Sequence, residues 1–156
     1  MSVEKVRDYF RQWNMEDRIK EFDVSSATVE LASLAIGCDP KQIAKTLAFK
    51  VKEKPILIVA SGDARVDNKK YKAQFSVRPK MLSPQELIEM VGYAAGSVCP
   101  FAVKDGVTVY LDESLKRFEK VFPASGSSNS IIELTIEELE KCSKYVAWID
   151  VCNGWE

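Results

Sequence analysis

The sequence contains no histidine. That absence excludes Ser-His-Asp and Cys-His catalysis, histidine-ligated zinc and histidine general bases together. Cysteine is sparse, with four residues at positions 38, 99, 142 and 152. No two stand in a CxxC spacing, so neither a disulfide-dense framework nor a cysteine zinc site is indicated. This usage fits a reduced, cytoplasmic setting. No apolar run approaches the roughly 20 residues that span a bilayer. The segment from Met1 to Arg11 is amphipathic and mixed in charge, unlike a signal peptide. Repeats, low-complexity stretches and Gly/Pro-rich linkers are also missing. A catalyst built from this chain must use lysine, carboxylates, hydroxyls, main-chain dipoles or the substrate itself, and no metal or cofactor is expected.

What is present is ordinary for a globular protein. The 156 residues are 46% hydrophobic and 29% charged, enough for one domain over 1–156 with a real core. The net charge is −1, but it is unevenly spread. Residues 41–80 carry 11 Lys and Arg against 3 Asp and Glu. Such a segment points to a local anionic partner, or else to solvated strand and helix faces.

The pattern along the chain alternates short helices and strands. Val3, Val6, Phe10 and Trp13 have helical spacing. Residues 19–24 read as extended. Ser25-Ser26 can cap a helix whose Val29, Leu31, Leu34 and Ala35 face a core, and Gly37 ends it. Asp39-Pro40-Lys41-Gln42 is a helix start with a capping box. Residues 45–51 and 55–60 read as two strands of a hairpin turning at Glu53-Lys54, the second buried on both faces. Asp67 can cap a helix to about Phe75. Ser83-Pro84-Gln85-Glu86 is a further capping box, with Leu87, Ile88 and Val91 as its apolar stripe. A strand follows at 107–111, then a short helix from Asp112, a strand at 121–122, an extended stretch at 130–134, a helix from Thr135 and a last strand at 146–151. These elements predict a single α+β domain with a curved, largely antiparallel sheet.

The loop from Gly92 to Phe101 stands out. Gly96 can adopt angles closed to other residues and admits close approach to the main chain. Pro100 removes a donor and biases Cys99 toward extended backbone. Amides of such a nest suit an anion or a polarised carbonyl oxygen. The plain alternative is an ordinary helix-to-strand connection.

Four stretches, taken in order, resemble a known family. They are Gln42-Ile43-Ala44-Lys45-Thr46-Leu47; Gly92-Tyr93 with Gly96-Ser97-Val98-Cys99-Pro100-Phe101; Asp112; and Ala124-Ser125-Gly126. Their order and spacing are similar to those of the YbaK/ProX family, freestanding relatives of the editing domain inserted in bacterial prolyl-tRNA synthetases. The resemblance covers roughly residues 20–150. It implies a curved mixed sheet, barrel-like and surrounded by helices, and trans-editing hydrolysis of the ester on a mischarged tRNA. It matches the family lysine to Lys45, the Gly-x-x-x-Pro loop to Gly96 through Pro100, and the late Ser-Gly to Ser125-Gly126. Two departures concern the pocket. The family loop often reads Ser-Pro-Phe-Gly where this chain has Cys99-Pro100-Phe101-Ala102. Some members carry an acidic residue where this chain has Ser130-Ile131-Ile132.

Three things assist hydrolysis of an activated ester: anchoring the terminal nucleotide, polarising the carbonyl and orienting a water. Lys45 is a candidate point charge, and the amides of Gly96, Ser97, Val98 and Cys99 are candidate oxyanion donors. With no histidine, the base can be a hydroxyl of the terminal adenosine acting through water, as the resemblance also implies. Cys99 is a candidate nucleophile or pocket wall. Pro100, Phe101, Ser125, Gly126 and Tyr93 are candidate substrate-binding residues, the aromatics by stacking on a base or else by core packing. Lys69, Lys70 and Lys72 are candidate tRNA contacts. The expected partners are an aminoacylated tRNA end and a synthetase, with no membrane. The amino acid removed is expected to be small, such as Ala, Ser, Thr or Cys. The competing readings are a non-catalytic module that binds a tRNA end or a protein, and a small-molecule ester or amide hydrolase.

Overall fold

A computed structural model describes residues 2–155. The chain opens with helix α1 (Ser2–Phe10), whose Val3, Val6 and Phe10 are buried. Each such apolar side chain taken out of water contributes roughly 1.5–3 kcal/mol. Two short 3-10 turns lead to strand β1 (Ile19–Glu21). Helix α2 (Val29–Ile36) follows, and Gly37 closes it in the left-handed region at φ 80°. A 3-10 turn at Pro40–Gln42, held by the expected capping box on Asp39, feeds strand β2 (Ile43–Val51).

Strands β2 and β3 (Lys54–Ser61) make the longest pairing, an antiparallel hairpin from Ala44↔Ser61 to Val51↔Lys54. Its turn residues are Lys52 and Glu53, both at positive φ, one residue earlier than the spacing predicts. Strand β4 (Arg65–Val66), helix α3 (Asn68–Phe75) and helix α4 (Pro84–Glu86) come next, α4 continuing into a π turn at Leu87–Val91. The rest alternates β5 (Thr108–Asp112), a 3-10 turn at Glu113–Arg117, β6 (Lys120–Pro123), β7 (Ser130–Ile132), β8 (Leu134–Thr135), α5 (Ile136–Ser143), β9 (Ala147–Ile149) and β10 (Cys152–Asn153).

Six strands form the main sheet in the order β8-β6-β2-β3-β5-β9, with small two-stranded pairs β1-β7 and β4-β10 beside it. The fold is α+β with a curled, mixed sheet. The antiparallel character expected from the sequence resides mainly in the β2–β3 hairpin. The β2–β6, β3–β5 and β5–β9 neighbours run parallel. Parallel neighbours require long crossovers, and α3 with α4 supplies the one between β3 and β5.

Strand β3 sits at the centre of the molecule. Leu57 and Val59 enter one core cluster with Phe10, Leu111 and Leu139, while Ile56, Ile58 and Ala60 enter another with Phe49, Tyr71 and Val151. The strand is therefore buried on both faces, as its continuous apolar run predicts. Helix α2 departs from the sequence reading. Its N-cap is Thr28, whose hydroxyl accepts from the Leu31 amide at 3.1 Å. Ala32 and Ser33 are buried, Val29 and Ile36 pack beside them, and Leu31 and Leu34 face solvent. Starting the helix after Thr28 rather than after Ser26 places the buried stripe at 29, 32, 33 and 36.

Candidate active site

A cavity of about 290 Å³ opens beside the outer edge of β2. The cause is topological. β6 pairs with β2 only at Ile43↔Phe122 and Ala44↔Pro123 and then turns away. Further along the same edge, the Leu82 amide donates to the Ala48 carbonyl and the Lys50 amide to the Lys80 carbonyl. Between these contacts the edge carries no partner strand. Main-chain groups alternate sides along a strand, so Thr46, two residues from Ala48, turns its N–H and C=O toward the same open side. The Thr46 hydroxyl is also buried without a hydrogen-bond partner.

Three further pieces complete the walls. Ser26 to Val29 and Ala32 come from the approach to α2; Phe122, Ala124 and Ile131 from β6 and β7; Gly96 and Val98 from the loop predicted to form a nest. The first two are tied together, since the Ser26 amide donates to the Ser128 carbonyl at 2.6 Å and Asn129 Nδ2 to the Phe22 carbonyl at 2.8 Å. Gly96 has φ +85°, and a Cβ there would lie 3.5 Å from the Ala27 Cβ. Backbone angle rather than space therefore demands glycine.

Lys45 lines this cavity. Its ammonium donates to the carbonyl of Ala64 and, at 3.4 Å, to that of Gly62. An ammonium has three N–H donors, so one stays available. Burial lowers the Lys45 pKa; Cys152 and Asp63 raise it, Arg65 lowers it and Glu30 raises it. Burial also pushes the Cys152 thiol up to about 12. Cys152 is thus uncharged near neutrality, which leaves Asp63 first among the groups supporting the lysine's charge.

Of the residues marked in the sequence, Lys45, Gly96 and Val98 meet at the cavity. The Ser97 amide is occupied by the Ala94 carbonyl at 3.0 Å. Among the described residues, the Gly96 and Val98 amides have no protein acceptor. Cys99, Tyr93 and Phe101 form the root of the loop rather than its surface. All three are buried in the main core, and the Phe101 ring lies 4.8 Å from that of Phe10. The Tyr93 hydroxyl donates to the Phe101 carbonyl. Burial pushes the Cys99 thiol up to about 11. A thiol so placed is protonated at neutral pH and poorly suited to attack. Pro100 is buried beside a separate hollow with Tyr9 and Lys104. Ser125 and Gly126 are buried directly after Ala124, and the Ser125 hydroxyl has no partner.

The basic helix α3 stands on the Lys45 side of the sheet. Lys45 and Phe49 share a strand face by alternation, and the Phe49 ring packs 5.2 Å from that of Tyr71 on α3. Lys69 and Lys72 are exposed, whereas Lys70 donates to Asp150 at 3.0 Å and to the Cys152 carbonyl at 2.9 Å. Among the described residues no cluster of three Cys, Asp or Glu side chains is arranged to hold a metal ion. Neither the Ser26–Val29 wall nor the main-chain edge at Thr46 was legible in the sequence. Both depend on where β6 leaves β2, which no local pattern encodes.

An open strand edge, a half-buried lysine and the Gly96–Val98 loop line one small chamber. Residues 24–142 match the model of the aminoacyl-tRNA editing domain, and the chain belongs to that family. It is 52% identical to YwhH of Bacillus subtilis (strain 168) along the full length of both chains. It is 27% identical over 90 residues to the proline–tRNA ligase of Geobacillus sp. (strain WCH70), a match spanning 57% of this chain and 16% of that enzyme. Among solved structures it is similar to a protein described as a candidate trans-editing enzyme for prolyl tRNA synthetase. The TM-score is 0.87 with 26% identity, over 98% of each chain. No described helix is long and apolar enough to cross a membrane.

Proposed function

We propose that this protein is a trans-editing deacylase that hydrolyses the ester of a mischarged tRNA carrying a small amino acid such as Ala, Ser, Thr or Cys. The observation that carries the reading is the convergence of Lys45, Gly96 and Val98 on one cavity of about 290 Å³. That volume suits a small aminoacyl group. The free N–H of Lys45 anchors a phosphate or carbonyl oxygen of the tRNA end. The Gly96 and Val98 amides receive the oxyanion as water adds to the ester carbon. The free hydroxyl of the terminal adenosine relays the proton, accepting it from the water while passing its own to the ester oxygen, which leaves as the regenerated tRNA hydroxyl. Donors already in place stabilise that charge without reorganising. Exposed Lys69 and Lys72 on the Lys45 side of the sheet offer phosphate contacts, and Lys70 adds charge from within its own pairing. We place the activity in the cytoplasm, alongside the synthetase whose errors it corrects.

Deacylation of a panel of aminoacyl-tRNAs, beginning with the Ala, Ser, Thr and Cys esters, tests this reading. Lys45→Ala is expected to fold, by circular dichroism, and to lose deacylation by about 100-fold or more, as when a transition-state donor is removed. Parent-rate turnover by the folded variant rejects the assignment. Binding without turnover by the parent protein identifies a tRNA-end module instead, and tRNA-independent hydrolysis a small-molecule hydrolase.

A further inference from the structure

We infer that Asp63 and Arg117 form a positioning clamp that sets where the Lys45 ammonium is held beside the cavity. The inference rests on the deacylase reading for its catalytic consequence, but its geometry is independent of that reading. Lys45 is held by the carbonyls of Gly62 and Ala64. Both belong to the turn that leaves β3, and the side chain between them is Asp63. Arg117 grips that carboxylate with both arms, Nη2 donating to Oδ1 at 2.6 Å and Nη1 to Oδ2 at 3.1 Å. Such a fork fixes orientation as well as distance.

Two of the three remaining N–H donors of the guanidinium are also engaged. Nη2 donates to the Ser61 hydroxyl at 2.8 Å and Nε to the Ser114 carbonyl at 3.0 Å. The Ser61 hydroxyl in turn donates to Asp63 at 2.7 Å, and the Ser61 amide donates to the Ser114 hydroxyl at 3.1 Å. The guanidinium carbon lies 5.2 Å from the Trp155 ring centre and 4.8 Å from that of Phe118. From the other side the turn is wedged against the 3-10 turn that feeds β2. A Cβ on Gly62 would lie 2.0 Å from the Pro40 carbonyl oxygen. The turn is therefore fixed on both sides, and its two carbonyls define where the ammonium sits.

The clamp also sets charge. Burial raises the Asp63 pKa, but hydrogen bonds from Arg117 and Ser61 outweigh it and hold the carboxyl below its ordinary value. An ionised Asp63 supports the ammonium of Lys45 against desolvation. The groups facing Lys45 are Cys152, Asp63, Arg65 and Glu30. Of the two carboxylates, Asp63 contributes more.

The test uses protein labelled at lysine Cε with carbon-13, the Lys45 signal being assigned by its loss in Lys45→Ala. In Asp63→Asn the Lys45 titration should move to lower pH. Its kcat for deacylation should fall about 10- to 100-fold, as for small misplacements of a catalytic group, with KM within about two-fold. Arg117→Lys keeps a charge without the fork and should fall between parent and Asp63→Asn. A purely structural pair would lower Tm and leave both the titration and the kcat of the folded enzyme unchanged; that result, or an unchanged kcat alone, overturns the proposal. If the parent deacylates no aminoacyl-tRNA, the proposed function falls, and the Lys45 titration in Asp63→Asn still decides whether the clamp acts on the lysine.

Discussion

Gly96 and Cys99 lie three residues apart and predict opposite behaviour. Gly96 sits at φ +85° on the cavity wall, where left-handed backbone disfavours a side chain by roughly 1–2 kcal/mol. Gly96→Val should therefore move the neighbouring amides and reduce kcat severely, by about 100-fold or more if a donor is lost. Cys99 is fully buried and its thiol is held protonated. Cys99→Ala should lower Tm through lost packing yet keep kcat within about three-fold, since no charge-stabilising donor is removed. Steady-state deacylation of both purified variants checks the pair; a folded but inactive Cys99→Ala enzyme would restore covalent catalysis. The places of Lys45 and Gly96 on the cavity were legible only through their match to the family lysine and Gly-x-x-x-Pro loop, since a strand-start lysine and a loop glycine are ordinary in themselves. The place of Cys99 was not, because its burial depends on Phe10 and Phe101 meeting, residues far apart in the chain.

Capping boxes located their helices well: Asp39, Ser83 and Thr135 all act as N-caps with the expected partner three residues on. Helix α2 was misplaced because three hydroxyl residues precede it and only packing chooses among them. That choice matters, since the start of α2 forms a wall of the cavity. Thr28→Ala removes the cap on the Leu31 amide and should destabilise the protein by about 1 kcal/mol in urea unfolding. The same change should raise KM more than it lowers kcat, because the wall binds and does not react. Strands β4 and β10, two residues each, left no readable period. The parallel pairing of β2 with β6 was equally hidden, since parallel register arises from crossovers rather than from a turn.

The molecule as a whole should lose stability in acid. Lys50 bonds Glu86 and, with the Ser83 amide, holds its carboxyl at about 2. Asp63, Asp67 and Glu138 are also held below their ordinary values. For Asp63 and Glu138, hydrogen bonds overcome a burial cost; at Asp67 the Lys70 amide leads. Each binds its proton less readily folded than unfolded. The stability they confer is thus fully present above their unfolded values, roughly 4, and disappears as pH falls through the folded ones. The urea midpoint should be level from pH 7 to 5 on this account and decline toward pH 2. A midpoint that rises below pH 4 contradicts these assignments.

The four thiols differ in how the fold treats them. Cys99, Cys142 and Cys152 are sealed in the interior, and only Cys38 reaches partial exposure. Burial and the neighbouring Asp39 raise its pKa, so it reacts slowly, but it is the one that reagents can reach. It follows α2 and precedes the turn that feeds β2, close to two walls of the cavity. A fluorophore placed there by mild labelling would report whether a tRNA end enters the chamber while the native sequence stays intact.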